Sequence, residues 1–123
     1  NMTMLQDPFF MDYFNQKIAL SHGDDFCTDD LEYVKFKKEV RSLPWQQNFL
    51  SQPLQDRRDI ASSMRDVSQS HNNKKAISIM DVAPSSIQEF FTEHQIDLLI
   101  HGHTHRPNTH EVIAENMHGV RIV

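Results

Sequence analysis

Two short apolar segments of the chain end in the same dipeptide, His-Gly. Residues 17–23 have the sequence KIALSHG, and residues 96–102 have the sequence IDLLIHG. A short apolar run of this kind is typical of a buried strand, and a glycine directly after it lets the backbone turn beside a ligand. In open α/β sheets, ligands bind where strands end and loops begin. The pattern therefore predicts an α/β fold with a ligand site at the ends of these two strands.

Three histidines near these strand ends are candidate metal ligands. His22 follows the first strand, and His103 and His105 follow the second as a His-x-His pair. A lone histidine is more often structural, but a His-x-His pair directly after a buried strand is costly without a metal or a phosphate to bind. Three imidazoles and a water can hold one zinc ion. Asp24 and Asp25 instead favour phosphate-ester hydrolysis, which commonly uses two metals.

Basic charge is concentrated in the middle of the chain. Residues 35–75 hold nine Lys and Arg against four acids, a net charge of +5, while the rest of the 123 residues carries −10. This contrast indicates an anionic partner, which is a phosphate-bearing substrate, a nucleic acid or an anionic membrane surface. A solvated helical face is the alternative. No helix-turn-helix, RNA-binding or zinc-finger signature is present, so we expect no nucleic-acid partner.

The hydrophobic pattern predicts that the chain begins with a hairpin and continues in helices. Strands at residues 9–14 and 17–20 would flank a tight turn. Helices with narrow apolar faces and basic outer faces follow, and a polar loop at residues 68–75 ends this segment. The first helix would start at Asp29, which forms a capping box with Glu32. Such helices indicate a cap rather than a core.

The last third of the chain is predicted to form a helix, a strand and a hairpin. Pro84 fits the first position of the helix. Residues 96–100 are nearly continuously apolar, which indicates a strand buried on both faces, and the hairpin would turn at residues 117–119. We expect no transmembrane segment and no signal peptide. The single cysteine, Cys27, fits a reducing cytosolic compartment.

Several segments together resemble the calcineurin-like metallophosphoesterases. The sequences HGD at residues 22–24 and GHTH at residues 102–105 match the last two metal motifs of that superfamily. The longer segments HGDDFCTDD at 22–30, IMDV at 79–82 and HGHTHRP at 101–107 are similar to the UDP-2,3-diacylglucosamine pyrophosphohydrolase family of lipid A biosynthesis. The similarity covers essentially the whole chain.

The resemblance implies a fold and a reaction. The fold would be the C-terminal part of a four-layer αββα sandwich, with residues 1–123 as a partial domain and a helical cap inserted at about residues 29–75. The complete enzyme, with two Mn²⁺ ions, would hydrolyse the diphosphate of UDP-2,3-diacylglucosamine to UMP and 2,3-diacylglucosamine 1-phosphate. The alternatives are another calcineurin-like phosphodiesterase or nucleotidase, and a non-catalytic assembly fragment.

Site residues follow from the same resemblance. The metal ligands would be His22, His103 and His105. His103 would also be the catalytic residue and would contact the substrate. The other substrate contacts would come from Asp30 and from three residues of the cap, namely Ser68, Asn72 and Lys75.

The expected partners are the lipid nucleotide substrate and the anionic surface of the inner membrane, with the protein peripheral on its cytoplasmic face. The basic segment would attract the diphosphate and the membrane, and the apolar helix faces would receive acyl chains. The family's first metal motifs, Asp-x-His, a bridging Asp and Gly-Asn-x-Asp, are absent. We therefore expect the C-terminal half of such an enzyme, impaired when isolated, with the missing N-terminal half as a further partner.

Overall fold

A computed structural model describes residues 2–72 and 80–123. The chain divides into two compact units. Residues 30–80 form a helical unit, and residues 2–29 together with residues 81–123 form a unit built on a sheet. The predicted mixed α/β class is confirmed. Among the described residues, no helix combines the length and the apolar character needed to cross a bilayer.

A five-stranded sheet is the frame of the sheet unit. Its strands are β1 (Phe9–Tyr13), β2 (Gln16–Ser21), β3 (Leu98–His101), β4 (Thr109–Ala114) and β5 (Met117–Ile122). Their order across the sheet is β1-β2-β3-β5-β4. The three inner strands run parallel, and each edge strand is added by an antiparallel hairpin. Two parallel strand ends, those of β2 and β3, are therefore neighbours.

Both hairpins turn at positions other than those predicted. The first turn consists of Phe14 and Asn15, one residue earlier than expected, and both residues have positive φ, 47° and 60°. Such a turn matches the twist of the flanking strands. The second turn lies at residues 115–116, and residues 117–119 belong to β5 instead. Gly119 is a strand residue paired with Val112, and the side chain of Phe91 packs directly on it.

The helical unit is built from α-helices that follow β2 in the chain. It contains α1 (Leu31–Val40), α2 (Leu43–Ser51) and α3 (Leu54–Asn72). The N-cap of α1 is Asp30 rather than Asp29, since its carboxylate accepts a hydrogen bond from the N–H of Tyr33 at 3.0 Å. The prediction of a polar loop at residues 68–75 is wrong for residues 68–72. These residues continue α3, because no glycine or proline stops the helix there.

The helical unit leaves many apolar side chains in solvent. Neither α1 nor α2 contains a buried residue. Leu31, Leu43 and Leu50 are 74%, 70% and 65% exposed. Short helices of this kind gain little stability from a core of their own.

A fourth helix, α4 (Pro84–His94), covers one face of the sheet. It begins at Pro84 as predicted. Ile87 and Phe91 of α4 are buried in one cluster with Leu99 of β3 and others, among them Ala19, Phe26, Cys27, Val82, Ile96 and Val112. Gly119 has no side chain, so the Phe91 ring lies directly against the backbone of β5.

The opposite face of the sheet is apolar and exposed. Ile100 and Ile122 are paired across β3 and β5, and they are 39% and 36% exposed. Met11 and Ile113, on the two edge strands, are 37% and 68% exposed. The prediction that residues 96–100 form a strand buried on both faces is therefore wrong. Among the described residues, α4 covers only one face of this strand.

Replacing Gly119 with alanine is expected to lower the free energy of unfolding by about 1–3 kcal/mol, because the added Cβ overlaps the fully buried ring of Phe91. Urea unfolding followed by circular dichroism measures the change. Gly102→Ala is the matched control, since a Cβ there meets only the carbonyl oxygen of His22, at 3.7 Å. Equal unfolding midpoints for the two variants would contradict the packing of Phe91 on Gly119.

Candidate metal centre

Parallel pairing brings the two His-Gly steps side by side. Ser21 of β2 lies opposite His101 of β3, so both chains leave the sheet at the same edge. The loops that follow are joined by a hydrogen bond in which the N–H of Gly102 donates to the carbonyl of His22 at 3.1 Å. Residues far apart in sequence therefore start one shared loop region.

Gly23 makes this close approach possible. Its φ is +99°, in the left-handed region that favours glycine. A Cβ at this position would lie 2.6 Å from Nδ1 of His101 and 2.9 Å from the carbonyl oxygen of Gly102. Any side chain here would push the two loops apart, which explains why glycine follows the histidine.

His22 is held in place by two carboxylates. Its Nδ1 donates to Oδ1 of Asp24 at 2.8 Å, and its backbone N–H donates to Oδ2 of Asp7 at 3.1 Å. The Asp24 side chain is 1% exposed, whereas that of His22 is 56% exposed. A carboxylate behind a histidine fixes the tautomer and the ring orientation of a metal ligand, and it leaves Nε2 as the coordinating atom.

His103 lies against His22. The centroids of the two rings are 4.9 Å apart, and the ring planes are inclined by 58°. The backbone φ of His103 is +69° and that of His105 is +53°, values that histidine seldom adopts. Unusual backbone of this kind is concentrated at ligand-binding loops.

The donor chemistry of this pair suits a divalent metal, although the set is small. Imidazoles backed by carboxylates are ligands for zinc, manganese and related ions. His105, two residues beyond His103, is exposed. Across residues 2–72 and 80–123, no three His, Cys, Asp or Glu side chains are close enough to hold a metal ion together. His22 and His103 are thus the two ligand candidates that the structure brings together.

His101 is a buried structural residue beside this pair. It is 4% exposed and packs edge-to-face near Phe26, at 5.8 Å between ring centroids. Its Nδ1 donates to the carbonyl of Gly102 at 3.0 Å, and its Nε2 lies 3.3 Å from Nη1 of Arg121. Burial lowers the pKa of His101, and the positive charge of Arg121 acts in the same direction. The neutral ring is the form that this environment favours.

Two of the substrate-contact residues predicted from the resemblance, Asp30 and Ser68, lie in the described part of the helical unit. Asp30 and Ser68 both line one cavity of about 400 Å³. Asp30 also caps α1, so its carboxylate has a structural partner. Lys75 lies outside the described residues, and so does the side chain of Asn72.

One ion pair of the sheet unit was not anticipated from the sequence. Nη1 of Arg106 donates to Oδ2 of Asp81 at 2.6 Å. The two residues belong to the IMDV and HGHTHRP segments, but they are 25 positions apart and no local spacing links them. Only the fold brings them together.

The free energy of unfolding is expected to fall as the pH drops below 6.5, because His101 binds a proton in the unfolded chain before it does so in the folded one. At higher pH both states are neutral, so His101 has no effect there. Urea unfolding at several pH values measures the slope, and His101→Gln should flatten it.

His118→Gln is the matched control for this experiment. The His118 side chain, on β5, is 64% exposed, so this variant should keep the wild-type slope. A slope for His101→Gln that equals the wild-type slope would contradict the buried neutral state of His101.

Comparison with known proteins matches the chain to one family and to several curated relatives. The model of the calcineurin-like phosphoesterase family matches residues 3–107. The chain is 43% identical over 121 residues to a UDP-2,3-diacylglucosamine hydrolase of Cellvibrio japonicus, which covers 98% of this chain and 50% of the relative. Proteins of the same name from Chromohalobacter salexigens and Escherichia fergusonii are 41% and 40% identical, with 98% and 99% of this chain and 49% and 51% of the relatives covered.

The resemblance drawn from the HGD and GHTH motifs is thereby confirmed. The chain spans about half the length of the curated relatives it matches. The family match includes both His-Gly steps and the loop that carries His103 and His105. Since it extends over most of the sequence, the chain belongs to the calcineurin-like phosphoesterase family.

Proposed function

We propose that the protein acts in lipid A biosynthesis as a metal-dependent hydrolase, which cleaves the diphosphate of UDP-2,3-diacylglucosamine to UMP and 2,3-diacylglucosamine 1-phosphate. The observation that carries this proposal is the pairing of His22 and His103 at adjoining strand ends. It occurs in a chain that is 40–43% identical to proteins named UDP-2,3-diacylglucosamine hydrolase.

The metal site of the proposal is formed by the histidines of the two strand ends. His22 and His103 would hold one ion and His105 another, and Mn²⁺ is the ion we propose, with two in the complete enzyme. A bound divalent metal supplies Lewis-acid chemistry toward the phosphoryl group. The Asp24 carboxylate keeps the His22 ring in one orientation, so this ligand needs no rearrangement when a metal arrives.

His103 is the proposed catalytic residue. It sits at the left-handed position of its loop and against the His22 ring, so it borders the place where a phosphoryl group would bind. An imidazole at that place can hold or move a proton at a phosphoryl or leaving-group oxygen. Its contact with the substrate would thus be a contact with the diphosphate.

The helical unit is proposed to bind the acyl chains. Its cavity of about 400 Å³ is lined in part by Tyr33, Phe36, Met64 and Val67, which gives it an apolar wall. Asp30 and Ser68 line the same cavity, which supports their role in contacting the polar part of the lipid. We propose Asn72 and Lys75 as further substrate contacts and residues 29–75 as a cap inserted into the domain.

Association with the inner membrane follows from the same unit. Three of its exposed leucines, Leu43, Leu50 and Leu54, lie within residues 35–75, which carry a net charge of +5. Apolar side chains combined with basic charge bind the surface of anionic lipids. We therefore propose that the protein is peripheral on the cytoplasmic face, where the lipid nucleotide would be taken up.

The exposed face of the sheet supports a four-layer sandwich. A sheet face with apolar side chains such as Ile100 and Ile122 is stable when a second layer packs on it. The relatives are about twice as long as this chain. We propose that a partner of this chain corresponds to the half of the relatives that the chain does not match. This partner would provide the second sheet and the remaining metal ligands.

The test is an assay on the intact protein with two substrates. UMP release from UDP-2,3-diacylglucosamine is expected in the presence of Mn²⁺ and should stop after chelation, whereas deacylated UDP-glucosamine should be a poor substrate. His103→Ala should lower kcat about 100-fold or more, because a proposed metal ligand and the positioned proton transfer at the phosphate are both lost.

Each other outcome favours a different function. Equal turnover of the acylated and deacylated substrates would indicate another phosphodiesterase or nucleotidase of the family. An intact protein that hydrolyses neither substrate with any divalent metal would indicate a non-catalytic assembly role.

Met64→Glu is expected to raise the KM for the diacylated substrate about 10-fold or more with little change in kcat, because a charge in the apolar cavity opposes acyl binding. Initial rates with substrate in neutral detergent micelles measure both constants. Gln47→Glu is the matched control, since Gln47 is exposed on α2 and does not line the cavity. The same KM for both variants would argue against acyl binding in this cavity.

A further inference from the structure

The loop that carries His103 and His105 has a backbone that needs support. Both residues have positive φ, and the N–H of Thr104 donates to the carbonyl of Gly102 at 2.9 Å, which closes a tight turn around His103. Side chains other than glycine are strained in this region. Such a conformation persists only when the surrounding structure holds it on both sides.

The first side of the loop is held by the sheet. The N–H of Gly102 is bonded to the carbonyl of His22 directly after β3. Within the loop, the hydroxyl of Thr104 is buried but makes no hydrogen bond to any of the described residues. The hydroxyl of Thr104 therefore adds no hydrogen bond that holds the loop, whereas Arg106, directly after His105, makes one.

An ion pair lies at the end of the loop, directly after His105. Arg106, the residue after His105, donates to Oδ2 of Asp81 at 2.6 Å. The other oxygen of Asp81 accepts from the N–H of Val82 at 2.8 Å, so the carboxylate is itself fixed to the backbone. Both partners are only about one-third exposed, with side chains 37% and 36% accessible. A bond of this length to an anchored carboxylate restrains the guanidinium and the backbone that carries it.

The carboxylate of Asp81 is ionised in this environment. Burial acts to raise its pKa, but the hydrogen bonds from Val82 and Arg106 and the positive charges of Arg106 and Arg121 outweigh burial and hold the pKa below its usual value. The ion pair is thus intact throughout the neutral pH range.

We propose that Arg106 and Asp81 are positioning residues for the two histidines of the loop. The ion pair fixes the end of the strained turn to the segment that precedes α4, while β3 fixes its start. This inference rests on the proposed function, because it concerns the metal ligands of that site.

The experiment measures Mn²⁺ binding directly, in the intact protein and without substrate. Electron paramagnetic resonance of free Mn²⁺ gives the dissociation constant. Asp81→Asn removes the charge with little change in size, and the dissociation constant is expected to rise about 10-fold or more, the usual effect of losing support behind a metal ligand. Arg106→Gln should cause the same rise, and the double variant should be no worse than either single one, because one bond is lost in each case.

Two further variants separate the possible outcomes. Glu111→Gln is the matched control, because it removes an exposed carboxylate of the same unit that lies 3.7 Å from His118. Binding in Asp81→Asn that is no weaker than in Glu111→Gln would overturn the positioning role. His103→Ala tests the site itself. Strongly reduced Mn²⁺ binding in His103→Ala with unchanged binding in Asp81→Asn would overturn only the positioning role, whereas unchanged binding in His103→Ala would overturn the proposed metal site.

Discussion

The register between β2 and β3 is the constraint on which the candidate metal centre depends. Ser21 lies beside His101 in that register, and a shift of one residue would turn the side chains of one strand to the other face. The close contact of Gly23 with the His101 ring and the hydrogen bond from Gly102 are possible only in this alignment. The pairing of two imidazoles is therefore a consequence of how the sheet is assembled.

The core on the face of the sheet that α4 covers supports the ends of β2 and β3. The core formed by α4 and the inner strands reaches the strand ends, where it contains the polar residues Asp24 and His101, which are 1% and 4% exposed. Buried polar groups are costly unless they are hydrogen-bonded, and both of these have partners. Asp24 restrains His22, and His101 packs against Gly23. The residues that stabilise the strand ends are thus the same ones that orient the ligands.

Local signals in the sequence were sufficient for part of this structure. The strand ends at the two His-Gly steps and the helix start at Pro84 are predicted correctly, because glycine and proline act through their own backbone. The end of α3 was missed, because residues 68–72 contain no glycine or proline to stop a helix. The exposure of Ile100 was missed for another reason, since an apolar run does not reveal whether both faces are covered by the same chain. The ion pair of Asp81 with Arg106 depends on tertiary contact alone.

The small number of donors makes orientation more important for this site. Within the described parts of the chain, no third ligand joins the imidazoles of His22 and His103. Each donor then contributes a larger share of the binding free energy, and any freedom of its ring has to be lost when a metal binds. The Asp24 carboxylate restrains the His22 ring, and the anchored loop proposed above would restrict the backbone that carries His103. Rigid support behind few ligands would prepare the proposed metal site before a metal binds.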